Sequence, residues 1–519
     1  MSVGAETAPS FSDLQVQSKK AAATGQYREA ERLLKEELSM ASHASLLNQA
    51  VLWNELGSVH EQQHRLVEAE QDFNRAVTID NETNQLDEEQ RATALNNLGT
   101  LALAKGNVAE AEQQVRAALD KLDQIGLRNG ANAGMVLGNL AAISHKERND
   151  DAARRLYTEA AEIVSNRYGE TSSKYIGVLL EMAMLDFDNG DFTRAREKDS
   201  QALTLLDRLS EKNGRQKALA ENNLGLVLSG MAEFGEADRL LTDAVSLLEA
   251  DEAGPDVTLV EALNSLASVQ GHEEKLQSAQ QNAGKALQLA GRIAAGNSAL
   301  NATVYNTLGC LELHRNNLSA AREELETALR LWAISKGPSS IEFASTLTNL
   351  GTVEDHARNH KQAEVRYRAA LASYQAQLGP EHPQVASALS NVAAELFTRK
   401  KFDDALQLYQ RARKIQERSF GTSSVPVAST WHDIGIVEVA AKRFDEAEPA
   451  YRNAVAIFKE SPAANGVEFA SCLREYATLL RSLSRFSEAE ESEVLATRLQ
   501  VKSAIAAQRA GAASLLSFH

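Results

Sequence analysis

Apolar residues recur along this chain at helical spacing, in paired runs separated by short polar turns. Between Ala92 and Asp120, Leu95, Leu98, Leu101 and Leu103 form one run, Gly106 and Asn107 interrupt it, and Ala111, Val115 and Ala118 resume it. The pattern predicts a helix, a tight turn and a second, antiparallel helix. The same unit returns every 42 residues, marked by three small-residue positions. The first series is Gly57, Gly99, Ala141, Ala183, Gly225, Ala267, Gly309, Gly351, Ala393, Gly435 and Ala477. Twelve residues after each member stands an alanine, from Ala69 to Ala489, and seven further on another, from Ala76 to Ala496. Small residues at a fixed phase mark places where two helices cross closely, since interaxial distance depends on the side chains at the contact. An apolar residue precedes each member of the first series, as Leu56, Leu98 and Leu140 do. Such a hairpin cannot bury its apolar faces alone, so each unit is stabilised by its neighbours.

Trp53-x-x-Leu56-Gly57, followed by Ala69, Phe73 and Ala76, resembles the tetratricopeptide repeat. The resemblance implies an all-α fold, a right-handed superhelical solenoid of about twelve helix-turn-helix repeats. The usual period is about 34 residues, and the roughly eight extra ones here follow the third small position, lengthening the helices and the link between units. The linker Leu378-Gly379-Pro380-Glu381-His382-Pro383, with Gly169, Gly337 and Gly421 in the phase of Gly379, is similar to that of kinesin light chains and the scaffolds that share their repeat. Kinesin light chains carry a long heptad segment ahead of their repeats, whereas about ten residues precede the first helix expected here. A HEAT or armadillo array has a comparable period but does not require the Gly/Ala, Ala, Ala set.

Residues 1–10 are expected to form a flexible tail, 11–497 a continuous solenoid and 498–519 a helical extension or cap. The first unit is degenerate, keeping Gly25, Tyr27, Ala30 and Leu34 of its second helix. In the extension, Val501, Ile505, Leu515 and Leu516 stand among alanines and would cover the last apolar face. Asp150 and Asp199 occupy places that are usually apolar, and a local rotation of the helix toward the surface is expected there ahead of a local bend or a looser contact.

Charge narrows the partners. The formal net charge of −17 argues against a surface built for nucleic acid or an anionic membrane. No apolar run approaches the length that spans a bilayer, and no secretory signal is apparent at Met1 to Leu14. Cys310 and Cys472, far apart, suit a reducing compartment. The expected location is cytoplasmic, with cytoskeletal or ciliary association and organellar import both compatible. Phosphate-loop, dinucleotide-binding and zinc-protease motifs are all missing. His60 and His64 stand four apart, as do His356 and His360, but neither pair has a third ligand by spacing. The chain is therefore expected to be no enzyme and to hold no metal and no cofactor.

Two surfaces are candidates for binding other proteins. On the first helices, two or three residues before the Gly/Ala, stand Asn54, Asn96, Asn97, Asn139, Asn222, Asn223, Asn264, Asn306, Asn349 and Asn391. The resemblance implies that first helices line a concave groove. Amides there could hold the backbone of a peptide, or else tie neighbouring helices together. His432, Asp433, Arg474 and Glu475 break the series in the last units. The second surface is a basic ridge on the turns of the C-terminal repeats: Arg358, Lys361, Arg399, Lys400, Lys401, Lys442, Arg443 and Arg485. It suits an acidic partner segment, while scattered solubilising cations remain the plain alternative. The expected function is a non-catalytic scaffold gripping extended or helical segments of partner proteins. The alternative is an architectural subunit of a large cytoskeletal, ciliary or organellar assembly.

Overall fold

The computed structural model describes residues 10–23, 26–41, 46–63, 65–83, 86–209, 214–251, 254–293, 298–461 and 466–516, with side chains as far as Val501. Among the described residues there are twenty-four helices and no strand. They pair as hairpins: α1 (Phe11–Ala23) with α2 (Tyr27–Ala41), α3 (Leu46–Gln62) with α4 (Leu66–Thr83), α5 (Glu88–Ala104) with α6 (Val108–Gln124), and α7 (Ala131–Lys146) with α8 (Asp150–Tyr168). Next come α9 (Ser173–Asp188), α10 (Phe192–Leu206), α11 (Gly214–Gly230) and α12 (Phe234–Glu249). The series continues with α13 (Val257–His272) and α14 (Leu276–Ile293), α15 (Ser298–His314) and α16 (Leu318–Ser335), and α17 (Ile341–His356) and α18 (His360–Leu378). It closes with α19 (Pro383–Thr398) and α20 (Phe402–Phe420), α21 (Val425–Ala440) and α22 (Phe444–Glu460), and α23 (Gly466–Ser482) and α24 (Phe486–Leu516).

The chain divides into two compact units, one of residues 1–185, 198–217 and 250–254, the other of 186–197, 218–249 and 255–519. Within the first, α3 packs on α5 and α5 on α7; within the second, α13 packs on α15, α15 on α17 and α21 on α23. Second helices also pack on the first helix of the next hairpin, as α4 does on α5 and α18 on α19. The fold is an all-α solenoid of hairpins.

The small-residue series has a direct steric cause. A Cβ at Gly57 would lie 2.6 Å from the ring of Phe73, and one at Gly351 would lie 2.6 Å from the ring of Tyr367. The partner is in each case sixteen residues on, so the first helix provides a notch and the second helix fills it. The alanines of the other two series are fully buried, Ala69, Ala76, Ala321 and Ala328 among them. Gly169, Gly337, Gly379 and Gly421 have φ of 82–85°, a left-handed conformation that ends the second helix without a Cβ penalty.

Asp199 departs from the expectation. It occupies the notch-filling position, sixteen residues after Ala183, and is only 1% exposed. Its helix has not rotated: α10 keeps its register because Ala195 and Ala202 on either side are buried. Oδ1 of Asp199 has no hydrogen-bond partner, and burial pushes its carboxyl up to about 8. Asp150 instead accepts a 2.6 Å bond from the Nδ1 side of His145. Pro449 lies inside α22. The N-terminal tail expected over 1–10 lies outside the described residues except for Ser10, as does Gly25. The helical extension is α24 continuing to Leu516, and the side chains of Ile505, Leu515 and Leu516 lie outside what is described.

Candidate protein-interaction surfaces

The asparagine series resolves into two groups. Asn97 donates through Nδ2 to Oδ1 of Asn54 at 3.2 Å, Asn139 to Asn96 at 2.9 Å, and Asn349 to Asn306 at 3.0 Å. The donor in each pair is 43 residues after the acceptor. An amide three residues before one small position therefore meets the amide two residues before the next. These six side chains are half-buried or buried and tie successive first helices together. Asn97 also reaches Ser58, and Thr346 donates to Oδ1 of Asn306.

The remaining four, Asn222, Asn223, Asn264 and Asn391, have no amide at the matching place, where Ser265, Leu180, Thr307 and Thr348 stand. Buried Oδ1 atoms of Asn222 and Asn264 have no hydrogen-bond partner. The last repeats keep the same geometry with charged groups, His432 Nε2 lying 2.8 Å from Glu475 Oε2. Asn54, at the other end, lines a cavity of about 380 Å³ with Lys19, Tyr27, Leu34 and Ser58.

The basic ridge also divides. Arg399 pairs with Glu364, Arg443 with Asp403, and Arg485 with Glu448 at 2.6 Å. Each carboxylate belongs to the second helix of the preceding hairpin. The same tie joins Lys105 to Glu70 at 2.8 Å and Lys275 to Asp238 at 2.6 Å. Sequence spacing leaves this device hidden, because acidic residues are abundant on every second helix. The other five cations, Arg358, Lys361, Lys400, Lys401 and Lys442, are exposed and have no carboxylate partner among the described residues. Three of them carry strained backbone: φ is 63° at Arg358, 61° at Lys400 and 63° at Lys442. The same phase holds Gly106 and Gly190, also at positive φ, in earlier repeats. A left-handed conformation favours glycine, so three successive repeats place a cation where the backbone prefers a residue without a Cβ.

Of the histidines spaced four apart, only three lie among the described residues. His60 lies 2.6 Å from Asp72, and His64 is outside the described residues. His360 faces Asp355 and Glu395, whereas His356 is exposed. No helix among the described residues is long and apolar enough to cross a membrane.

The family model for the tetratricopeptide repeat matches residues 48–124, 342–418 and 426–499. These three stretches carry tetratricopeptide repeats. They support a protein-interaction scaffold in general terms, in keeping with a repeat that is typically non-catalytic. No curated protein matches the sequence. A solved structure of a Rap protein complexed with Competence and Sporulation Factor is similar in fold, with a TM-score of 0.53. It is 14% identical, with the match covering 70% of this chain and 98% of that one. A structure of BtubC (BKLC) from P. vanneervenii matches at 24% identity over 44% of this chain and 88% of that one, with a TM-score of 0.35.

Proposed function

We propose that this tetratricopeptide-repeat chain is a non-catalytic cytoplasmic scaffold, akin in repeat length to kinesin light chain-like scaffolds. It holds an extended or helical partner segment on the face of its first helices. The observation that carries this reading is the break in an otherwise self-paired series at Asn222, Asn223 and Asn264 on consecutive repeats, where Asn222 and Asn223 are only half-buried. A primary amide offers donors and an acceptor together, which matches the alternating groups of a peptide backbone. The unpaired cations Arg358, Lys361, Lys400, Lys401 and Lys442 suit an acidic stretch of the same partner or of a second one.

The test uses three full-length baits: the natural chain, an Asn222→Ala/Asn223→Ala/Asn264→Ala variant, and a variant with all five free cations changed to Ser. Proteins that co-purify from the native source are compared quantitatively at low and high salt. Loss of partners from the amide variant, with its melting temperature kept, supports the first-helix face. Salt-sensitive loss from the cation variant supports the ridge. Identical partner sets on all three baits would sink both surfaces and favour an architectural subunit bound along its other faces.

A further inference from the structure

The junction between repeats has three places at fixed phase: the end of a first helix, apolar in some repeats and polar in others such as Glu61, His145 and Ser229, and the start of its second helix and the first helix of the next repeat, both mostly apolar. One instance is Leu313, Leu318 and Val353, which belong to one hydrophobic cluster. Phe397, Phe402 and Val437, two repeats on, belong to another. Between them, at the same phase, the chain places Asp355, His360 and Glu395. Two carboxylates and an imidazole thus replace a hydrophobic plug at a site where α17, α18 and α19 meet.

The geometry of the trio is that of a ligand set. The three ligand atoms all lie within 4.8 Å of one another. Nδ1 of His360 is 2.9 Å from Oδ1 of Asp355 and 3.5 Å from Oε2 of Glu395. Metal–ligand distances of about 2.0–2.2 Å in a tetrahedral site space the ligand atoms by roughly 3.4 Å, close to these separations. Glu395 is only 3% exposed, and its inward Oε2 has no hydrogen-bond partner. Nδ1 of His360 has none of acceptable geometry either. A buried carboxylate beside a second one is costly unless a positive charge meets both. Arg399 of the neighbouring turn is taken by Glu364, and Arg368 also holds that glutamate. Asp355 and His360 keep part of their surface in water, which leaves room for a fourth, solvent ligand.

We propose that Asp355, His360 and Glu395 bind a first-row divalent cation, zinc in the first instance, and that this ion clamps the ninth hairpin to the tenth. One nitrogen and two carboxylate oxygens with an open position suit zinc, and manganese or iron(II) next; magnesium and calcium prefer oxygen-only sets. The clamp does not depend on the partner-binding reading above.

The test is isothermal titration of the chelator-stripped full-length chain with zinc chloride, alongside thermal unfolding with and without the metal. The expected result is one site of micromolar or tighter affinity and a rise in melting temperature that a chelator reverses. Two variants keep the outcome interpretable. Glu395→Gln preserves shape and should weaken zinc at least ten-fold. Asp355→Leu/His360→Leu/Glu395→Val installs the apolar trio of the preceding repeat, so it should fold as stably as the stripped natural chain and lose the site. Zinc binding that persists undiminished in both variants would overturn the proposal, as would no stoichiometric binding to the natural chain. In the latter case the trio is a proton-held polar cluster.

Discussion

Nδ2 of Asn349 donates to Oδ1 of Asn306 at 3.0 Å, and that oxygen also accepts from the buried hydroxyl of Thr346 at 3.1 Å. One amide therefore joins two successive first helices through a branched bond. Asn349→Ala removes one arm of it and should destabilise the chain by about 0.5–1.5 kcal/mol. Asn223→Ala, which breaks no bond among the described residues, should cost less than about 0.5 kcal/mol. Urea unfolding of both variants checks this, and equal losses would contradict the division of the series into paired and uncommitted amides.

Lys400→Gly and Lys442→Gly relieve a positive φ of 61° and 63°. Each should raise stability by about 0.5–1 kcal/mol, since glycine adopts this conformation freely. If the ridge docks an acidic segment, the same changes should weaken binding, most of all at low salt. Stability and binding would then move in opposite directions, which a melting curve and a titration on one preparation would show. A fall in stability would mean that the lysine stems pack on something the φ argument ignores.

Asp199 sets a pH dependence whose sign can be worked out. Its carboxyl ordinarily titrates near 3.8 but is pushed up to about 8 in the folded chain by burial. The folded state therefore holds a proton that the unfolded state has released between those two values. Stability from this group is fully present below about pH 4 and declines as pH rises towards about 8. Asp199→Leu restores the kind of residue that Leu241 and Leu325 supply at the same phase. It should stabilise the chain by about 1–3 kcal/mol at pH 8 and do less at pH 5. A difference between variant and natural chain that stays constant across this range would argue that Asp199 is never protonated.

Ala321 is fully buried at a helix crossing beside Leu325 and Leu350. Ala321→Leu overpacks that crossing and should cost about 1–3 kcal/mol. Because α15 and α16 pack on each other and on α13, α14 and α17, faster hydrogen exchange should appear around α15 to α18 and leave α5 to α8 protected. Uniform acceleration along the whole chain would mean that the repeats unfold as one block.

Some of this was legible in the sequence for a physical reason. The 42-residue recurrence of Gly57, Ala69 and Ala76 is a one-dimensional record of a contact between chain neighbours, so hairpins and close crossings follow from spacing, while the likeness to the tetratricopeptide repeat rests on the residues themselves, Trp53, Leu56 and Phe73 among them. The left-handed phase was visible where glycine marked it, at Gly106 and Gly379, and invisible where Arg358 or Lys400 adopts the same φ. Burial of Asp199 was misjudged because the pattern treats an acidic residue as a surface residue, while the register of α10 is held by Ala195 and Ala202.

What only the tertiary structure decided is which polar groups are already satisfied. Asn97 and Asn223 occupy the same phase, yet one is bonded to Asn54, whereas 43 residues before the other the chain carries Leu180 and no amide. Arg399 and Lys400 are adjacent, yet only the arginine reaches a carboxylate of the preceding second helix. Asp355, His360 and Glu395 meet because three helices converge there, and His356, the nearer histidine by spacing, points away to solvent. Apolar periodicity encodes the framework because burial is averaged over many contacts. A hydrogen bond or ion pair depends on angstrom-scale register between two helices, and only their packing sets that register.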